Sequence, residues 1–263
     1  MLFSVFFSCL LLGALVGFLA GLLGIGGGLI IVPALVYLLS MLGTSAELLM
    51  PMALATSLAS IVITSSAAAR AHHRNGNIPW PIARQLMIAV ATGALLGAFI
   101  ADGLSAENLT HIFAGAVILL ATYMLLSVKI TPIKTMPSNT VVQLVGFFTG
   151  TLASLMGIAG GAILVPVLSY FGMPLRHTIG VATVCGVMVA LFGSLGYIFT
   201  GVDEQGLPAL SLGYVYLPAL FAIVLTSALS APFGVRLAAK MPVSILKKFF
   251  AIFLILVATK MLW

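Results

Sequence analysis

The sequence predicts an all-α integral membrane protein: two inverted-topology repeats of about five hydrophobic segments each, with short broken or re-entrant helices at two glycine motifs. Three observations predict it. The chain is 62% hydrophobic and 6% charged, against roughly 25% charged in a soluble domain. One glycine-rich phrase occurs twice, as GLLGIGGGLIIVPAL from Gly21 to Leu35 and as SLMGIAGGAILVPVL from Ser154 to Leu168. Corresponding loops of the two halves also carry opposite charge.

The repeat extends well beyond the glycines. Gly13, Gly17, Gly24 and Pro33 match Gly146, Gly150, Gly157 and Pro166 at one constant offset, and Ala55-Thr56 matches Ala182-Thr183 after a small gap. Near the ends of the halves, Gly97, Ala101, Leu109 and Phe113 match Gly234, Ala238, Leu246 and Phe250. Membrane helices favour small residues in general, which accounts for one such block but not for three in the same order. The organisation expected is a first membrane repeat over 1–130, a short cytoplasmic linker over 131–138 and a second repeat over 139–263.

The segments follow from runs of apolar residues near the 20 or so needed to span a bilayer. In the first half they cover 3–23, 29–43, 51–69, 82–101 and 109–128. In the second they cover 139–156, 161–173, 178–200, 212–235 and 245–263. The first basic residue is Arg70, so the N-terminus lacks the positive region of a secretory signal and the first segment is expected in the mature protein. Segments 29–43 and 161–173 give about 22 and 20 Å of helix, short against a hydrocarbon core of about 30 Å.

Charge then orients the segments. The loop near Arg70, Arg74 and Arg84 is basic and is expected on the cytoplasmic side, as is the linker with Lys129 and Lys134. The basic 70–84 region corresponds to acidic Asp203 and Glu204, while acidic Asp102 and Glu107 correspond to basic 236–248. An inverted duplication requires this exchange. It puts both termini on the non-cytoplasmic face. The net charge of +6 is spread over short loops with no nucleic-acid-binding motif, so membrane orientation explains it better than nucleic acid does.

The chemistry lies in glycines and hydroxyls. Gly26, Gly27 and Gly28 are poor helix-interior residues, each costing about 1 kcal/mol relative to Ala, so a helix is expected to break there and again at Gly160 and Gly161. Pro33 and Pro166 suit the first turn of a new helix. A new helix start offers free N–H groups and a positive dipole end to an anion. Two such breaks at corresponding positions point to a transporter binding site. By contrast, the stripes Gly13, Gly17, Gly21 and Ala89, Gly93, Gly97, Ala101 read as close helix packing.

Thr56, Ser60 and Thr64 share one face of segment 3, and Thr183 repeats Thr56. Thr56, Ser57 and Thr183 are the candidate hydroxyl donors to an oxyanion, the alternative for such residues being a bond to their own helix carbonyls. Arg70 and Arg176 either attract an anion or mark a cytoplasmic boundary. The five acids all fall in or beside loops, leaving no mid-membrane carboxylate for a proton relay. No catalytic residue, metal site or cofactor is expected; Cys9 and Cys185 read as small core residues.

The paired GIGGG and GIAGG phrases, each followed by a proline, together with Ala-Thr at 55–56 and 182–183, resemble the TauE/SafE sulfite exporter family over nearly the whole chain. The resemblance implies a bacterial-type inner-membrane permease for sulfur-containing anions such as sulfite or an organosulfonate. Ala159 replaces one glycine in the second copy, so the breaks need not contact substrate equally. The function expected is transport by alternating access between the repeats. Its partners are a small anionic substrate and the lipid bilayer, with self-association left open. A channel or carrier for another small anion or a neutral metabolite is the alternative, followed by a membrane enzyme.

Overall fold

The computed structural model describes residues 2–23, 27–126, 137–238 and 243–262. The first half supplies α1 (Leu2–Leu23), α2 (Gly28–Met41), α3 (Ala46–Arg74), α4 (Trp80–Asp102) and α5 (Ala106–Leu126). The second supplies α6 (Asn139–Leu155), α7 (Gly161–Tyr170), α8 (Leu175–Thr200), β1 (Ser211–Leu212), β2 (Val215–Tyr216), α9 (Leu217–Ala238) and α10 (Val243–Leu262). The 131–138 linker falls mostly outside the described residues.

Helices α3, α4, α5, α8 and the Leu217–Gly234 part of α9 are long and apolar enough to cross a membrane. With 14 and 10 residues, α2 and α7 reach only about 21 and 15 Å and stop short of a full span. The longest helix, α3, takes in the Arg70–Arg74 segment as well as its apolar stretch.

Burial identifies the centre. The apolar windows of α3 and α8 are 67% and 61% buried against 33% for α5, so α3 and α8 form the core and α5 lies at the periphery. They pack on each other, α2 lies on α3, and α7 lies on α8. Around them, α1 packs along α9, α4 along α6, and α5 along α10. Exchanging corresponding helices of the two halves maps this set of pairings onto itself. Cys9 and Cys185 are buried core residues.

The small-residue stripes make the peripheral pairs. A side chain at Gly13 would run into Ile223 and Thr226, and one at Gly17 into Ser227 and Ser230. Likewise Gly93 sits on the Phe147 carbonyl and Gly97 on that of Thr151. Residue numbers rise together along both partners, so each pair runs parallel. The absence of Cβ lets the backbones touch. The surroundings of Gly21 and all of Gly26 lie outside the described residues.

Two sequence expectations change. The all-α class meets an exception in the apolar segment 212–235, which opens with a hairpin pairing Ser211 with Tyr216 and Leu212 with Val215 before α9 begins. Gly213, at φ 52°, is the first residue of its two-residue turn, where the left-handed region favours glycine. Pro33 and Pro166 also lie inside α2 and α7 rather than in their first turns. The glycines set the helix starts, and the prolines withhold the N–H groups that would bond Leu29 and Ala162.

Candidate functional site

Both glycine breaks come together against α3 and α8. A side chain on Gly28 would meet the Gly157 carbonyl oxygen at 2.5 Å and the Ile158 Cα at 3.1 Å, so the start of α2 touches the backbone of the second break. Gly157 fits between Val32 of α2 and Leu54 of α3, at φ 62°. Ser57 donates from Oγ to the Gly157 carbonyl at 2.8 Å and is fully buried. This bond ties the central helix of one half to the broken segment of the other. Sequence reasoning placed Gly157 in the repeat but not in the site; the missing signal was its left-handed φ, which motif spacing does not reveal.

The two helix starts differ sharply. At α2, Gly27 through Ile31 are buried, and Gly27 has right-handed φ, with the Val16 side chain over it. At α7, Gly160 is left-handed at φ 70°, and a Cβ there would meet only ordinary contacts, the nearest at 3.4 Å. A Cβ on Gly161 would meet nothing within 4 Å. Gly161, Ala162 and Ile163 are partly exposed. Ile163 and Leu164 both direct their N–H groups to the Gly160 carbonyl, while the Gly161 and Ala162 amides, at the very start of α7, have no backbone acceptor among the described residues.

The hydroxyls divide their roles. Thr56, fully buried, accepts the Tyr216 N–H at 3.0 Å and so anchors β2 to α3. Ser60 donates to the Thr56 carbonyl at 2.8 Å, and Thr64 is shared between the carbonyls of Ser60 and Ile61 at 3.3 and 3.4 Å. Thr183 is partly exposed and donates to the Ile179 carbonyl at 2.7 Å. Ser57 alone among the three candidate hydroxyls bonds directly to a glycine break. Arg70 and Arg176 are exposed, on α3 toward its Arg74 end and in the first turn of α8.

A tyrosine group absent from the sequence reading lies at the other ends of these helices. Tyr214 stands edge-on to Tyr197, ring centroids 6.4 Å apart, and its hydroxyl lies 3.4 Å from an Asp102 carboxylate oxygen and 3.5 Å from one of Glu204. Tyr197 is fully buried and donates to the Ser154 carbonyl at 3.4 Å. The Gly-Tyr-Val-Tyr alternation at 213–216 was the available sign of this hairpin. No group of three or more metal-ligating side chains occurs among the described residues.

The profile of the sulfite exporter TauE/SafE family matches residues 9–261. The chain belongs to the TauE/SafE family. A probable membrane transporter protein of Haemophilus influenzae is 42% identical over 263 residues, covering 99% of each chain. Another of Methanocaldococcus jannaschii is 24% identical over 230 residues, covering 87% of this chain and 84% of its own. A third, YdhB of Bacillus subtilis, is 27% identical over 194 residues, or 71% of this chain and 76% of its own. No solved structure gives a significant match. Membership of the TauE/SafE family makes this chain an integral membrane transporter with a small-molecule substrate.

Proposed function

We propose that this TauE/SafE protein carries a small sulfur-containing anion, sulfite or an organosulfonate, across a bacterial-type inner membrane by alternating access. The observation that carries the reading is the meeting of the two glycine breaks, with Ser57 of α3 bonded to Gly157 and the start of α7 open beside them. An oxyanion suits that place. Backbone N–H groups and the positive dipole end of α7 can neutralise it without the desolvation cost of a buried cation. Gly161 leaves room for close approach.

Two inverted repeats, 1–130 and 139–263, supply the moving parts in this reading. The exchange-symmetric helix pairings and the opposite loop charges support it. With the Arg70–Arg84 end cytoplasmic, both termini lie outside. Ser57 positions the second break, the α7 start receives the anion, and Thr183, Gly27 and Gly28 belong to the surrounding wall. Arg70 and Arg176 attract anions from the cytoplasmic side.

Sealed proteoliposomes test the proposal directly. Labelled sulfite should cross with saturable kinetics, and unlabelled sulfite or sulfoacetate should compete while acetate and phosphate do not. Uptake that never saturates would indicate a channel, and competition by acetate or phosphate alone would remove the sulfur-anion assignment.

A further inference from the structure

The hairpin is an unusual insertion. Tyr214, Val215 and Tyr216 are 6%, 2% and 2% exposed, although they lie in the connection between two long helices, where backbone normally runs over the surface. Their anchor, Thr56, lies ten residues beyond Ala46 at the start of α3, about 15 Å along that helix. Non-helical backbone at such depth survives only when protein buries it or when it lines a water-filled path.

Three sets of contacts hold it there. Tyr216 gives its N–H to Thr56, and Tyr214 gives its own to the Tyr197 carbonyl at 3.4 Å. Gly201 and Gly213 let the turn lie directly on α8, a Cβ on Gly201 meeting the Tyr214 nitrogen at 2.6 Å. The Tyr214 hydroxyl reaches both Asp102 at the end of α4 and Glu204 in the loop before the hairpin. One phenolic proton therefore joins two segments that would otherwise repel each other as carboxylates. Below it, Tyr197 reaches the carbonyl of Ser154, three residues ahead of Gly157.

The opposite end of the molecule has a looser counterpart. There the loop after α3 lays the Asn77 carbonyl on Gly180 of α8 and buries Ile78. Its side-chain bond is local, Asn77 Nδ2 to His72 Nδ1 at 3.3 Å. Thr183 turns back to Ile179 instead of holding that loop as Thr56 holds the hairpin. The structure is thus latched at the Asp102 end and less firmly closed at the Arg70–Arg84 end.

We infer that the Ser211–Tyr216 hairpin is the gate on the Asp102 face of the transport path, with Thr56 and Tyr214 as its latch. Thr56 then acts as a positioning residue rather than a substrate ligand. This rests on the alternating-access reading but not on the identity of the substrate, because opening of the hairpin is measurable without one.

The test uses the full chain in membrane vesicles of both orientations, with Cys9→Ala and Cys185→Ala removing the native thiols and Gly161→Cys as reporter. A Cβ at the reporter position meets nothing within 4 Å, so the cysteine should be accommodated without displacing a neighbour. A membrane-impermeant maleimide applied from the Asp102 face should label slowly. Adding Thr56→Val and Tyr214→Phe should speed that labelling about tenfold, as expected when a two-state opening loses hydrogen bonds from its closed form. Labelling from the Arg84 face should not rise. Tyr214→Phe alone, which keeps the ring on Tyr197, should give the same direction with a smaller change and serves if the double variant does not fold. An unchanged rate from the Asp102 face, or an equal rise from both faces, would overturn the gate. Failure of the wild-type chain, with Gly161 intact, to transport sulfite while the reporter gives the expected labelling pattern would instead count against the substrate assignment alone.

Discussion

The two glycine breaks have related sequences and unlike surroundings. The first is packed shut: Gly28 abuts the Gly157 carbonyl and Ile158, and the opening residues of α2 are buried. The second leaves Gly161 facing open space, with the first turn of α7 partly exposed. Repetition of a motif therefore marks two helix starts without making them equal. Here one start is a contact surface and the other stands open.

The largest effect expected is on folding, and it should separate the two breaks. Gly28→Ala places a methyl group 2.5 Å from a backbone oxygen, where no flexible side chain can yield. Overpacking of this kind costs about 1–3 kcal/mol or more. Gly161→Ala meets nothing and should leave stability unchanged or raise it by up to about 1 kcal/mol, the helix propensity of Ala over Gly. Thermal unfolding followed by fluorescence-detected size exclusion in detergent compares them. Equal melting temperatures for the two variants would remove the distinction between a sealed and an open break.

Ligand binding should show the reverse order. Gly161→Leu should retain the fold, since a Cβ there meets nothing within 4 Å, while its side chain blocks the start of α7. Sulfite affinity should fall by about a hundredfold, comparable to about 2.7 kcal/mol, through lost access to N–H donors and dipole. Calorimetric titration of purified protein would measure it. Wild-type affinity in a monodisperse Gly161→Leu protein would place the anion elsewhere.

Ser57 sharpens the comparison because it links the breaks through a side chain. Ser57→Ala leaves the Gly157 carbonyl without its 2.8 Å donor in a buried place. The expected loss is about 1–3 kcal/mol of stability. Thr183→Val removes only a bond to the helix's own Ile179 carbonyl, and such back-bonds contribute little, so it should change stability by less than about 1 kcal/mol. Urea or thermal denaturation of the pair would test this. A Thr183 variant as unstable as the Ser57 variant would show that the exposed threonine carries tertiary load.

Much of this arrangement was legible in the residues. Apolar runs separated by charged turns gave the helices, and the repeated glycine phrase located both breaks, because composition and local propensity act over short stretches. The meeting of Gly28 with Gly157 depends on how α2 and the second break cross α3, which is tertiary geometry. Thr56 shows the limit most clearly. Its repetition at Thr183 suggested one shared role, yet Thr56 holds Tyr216 and Thr183 bonds within its own helix. A hydroxyl's partner is chosen by what the fold brings near, and the hairpin that reaches Thr56 has no matching strand pair among the described residues of the first half.

The smallest effect should come from the arginines, which test whether the open break or the basic surface holds the anion. Arg70 and Arg176 are exposed, so water and salt screen them strongly, over about 8 Å at physiological ionic strength. Charges so placed raise the local anion concentration and speed its arrival without forming the site. Arg70→Gln and Arg176→Gln should lower the sulfite transport rate by about two- to threefold at low salt, an effect of steering that fades as ionic strength rises. Equilibrium affinity should stay nearly unchanged. Transport in vesicles at several salt concentrations, beside a binding titration under the same conditions, separates the two quantities. If either arginine variant loses binding at all salt concentrations while Gly161→Leu retains it, the anion is held by the basic surface, and the open start of α7 is a packing feature after all.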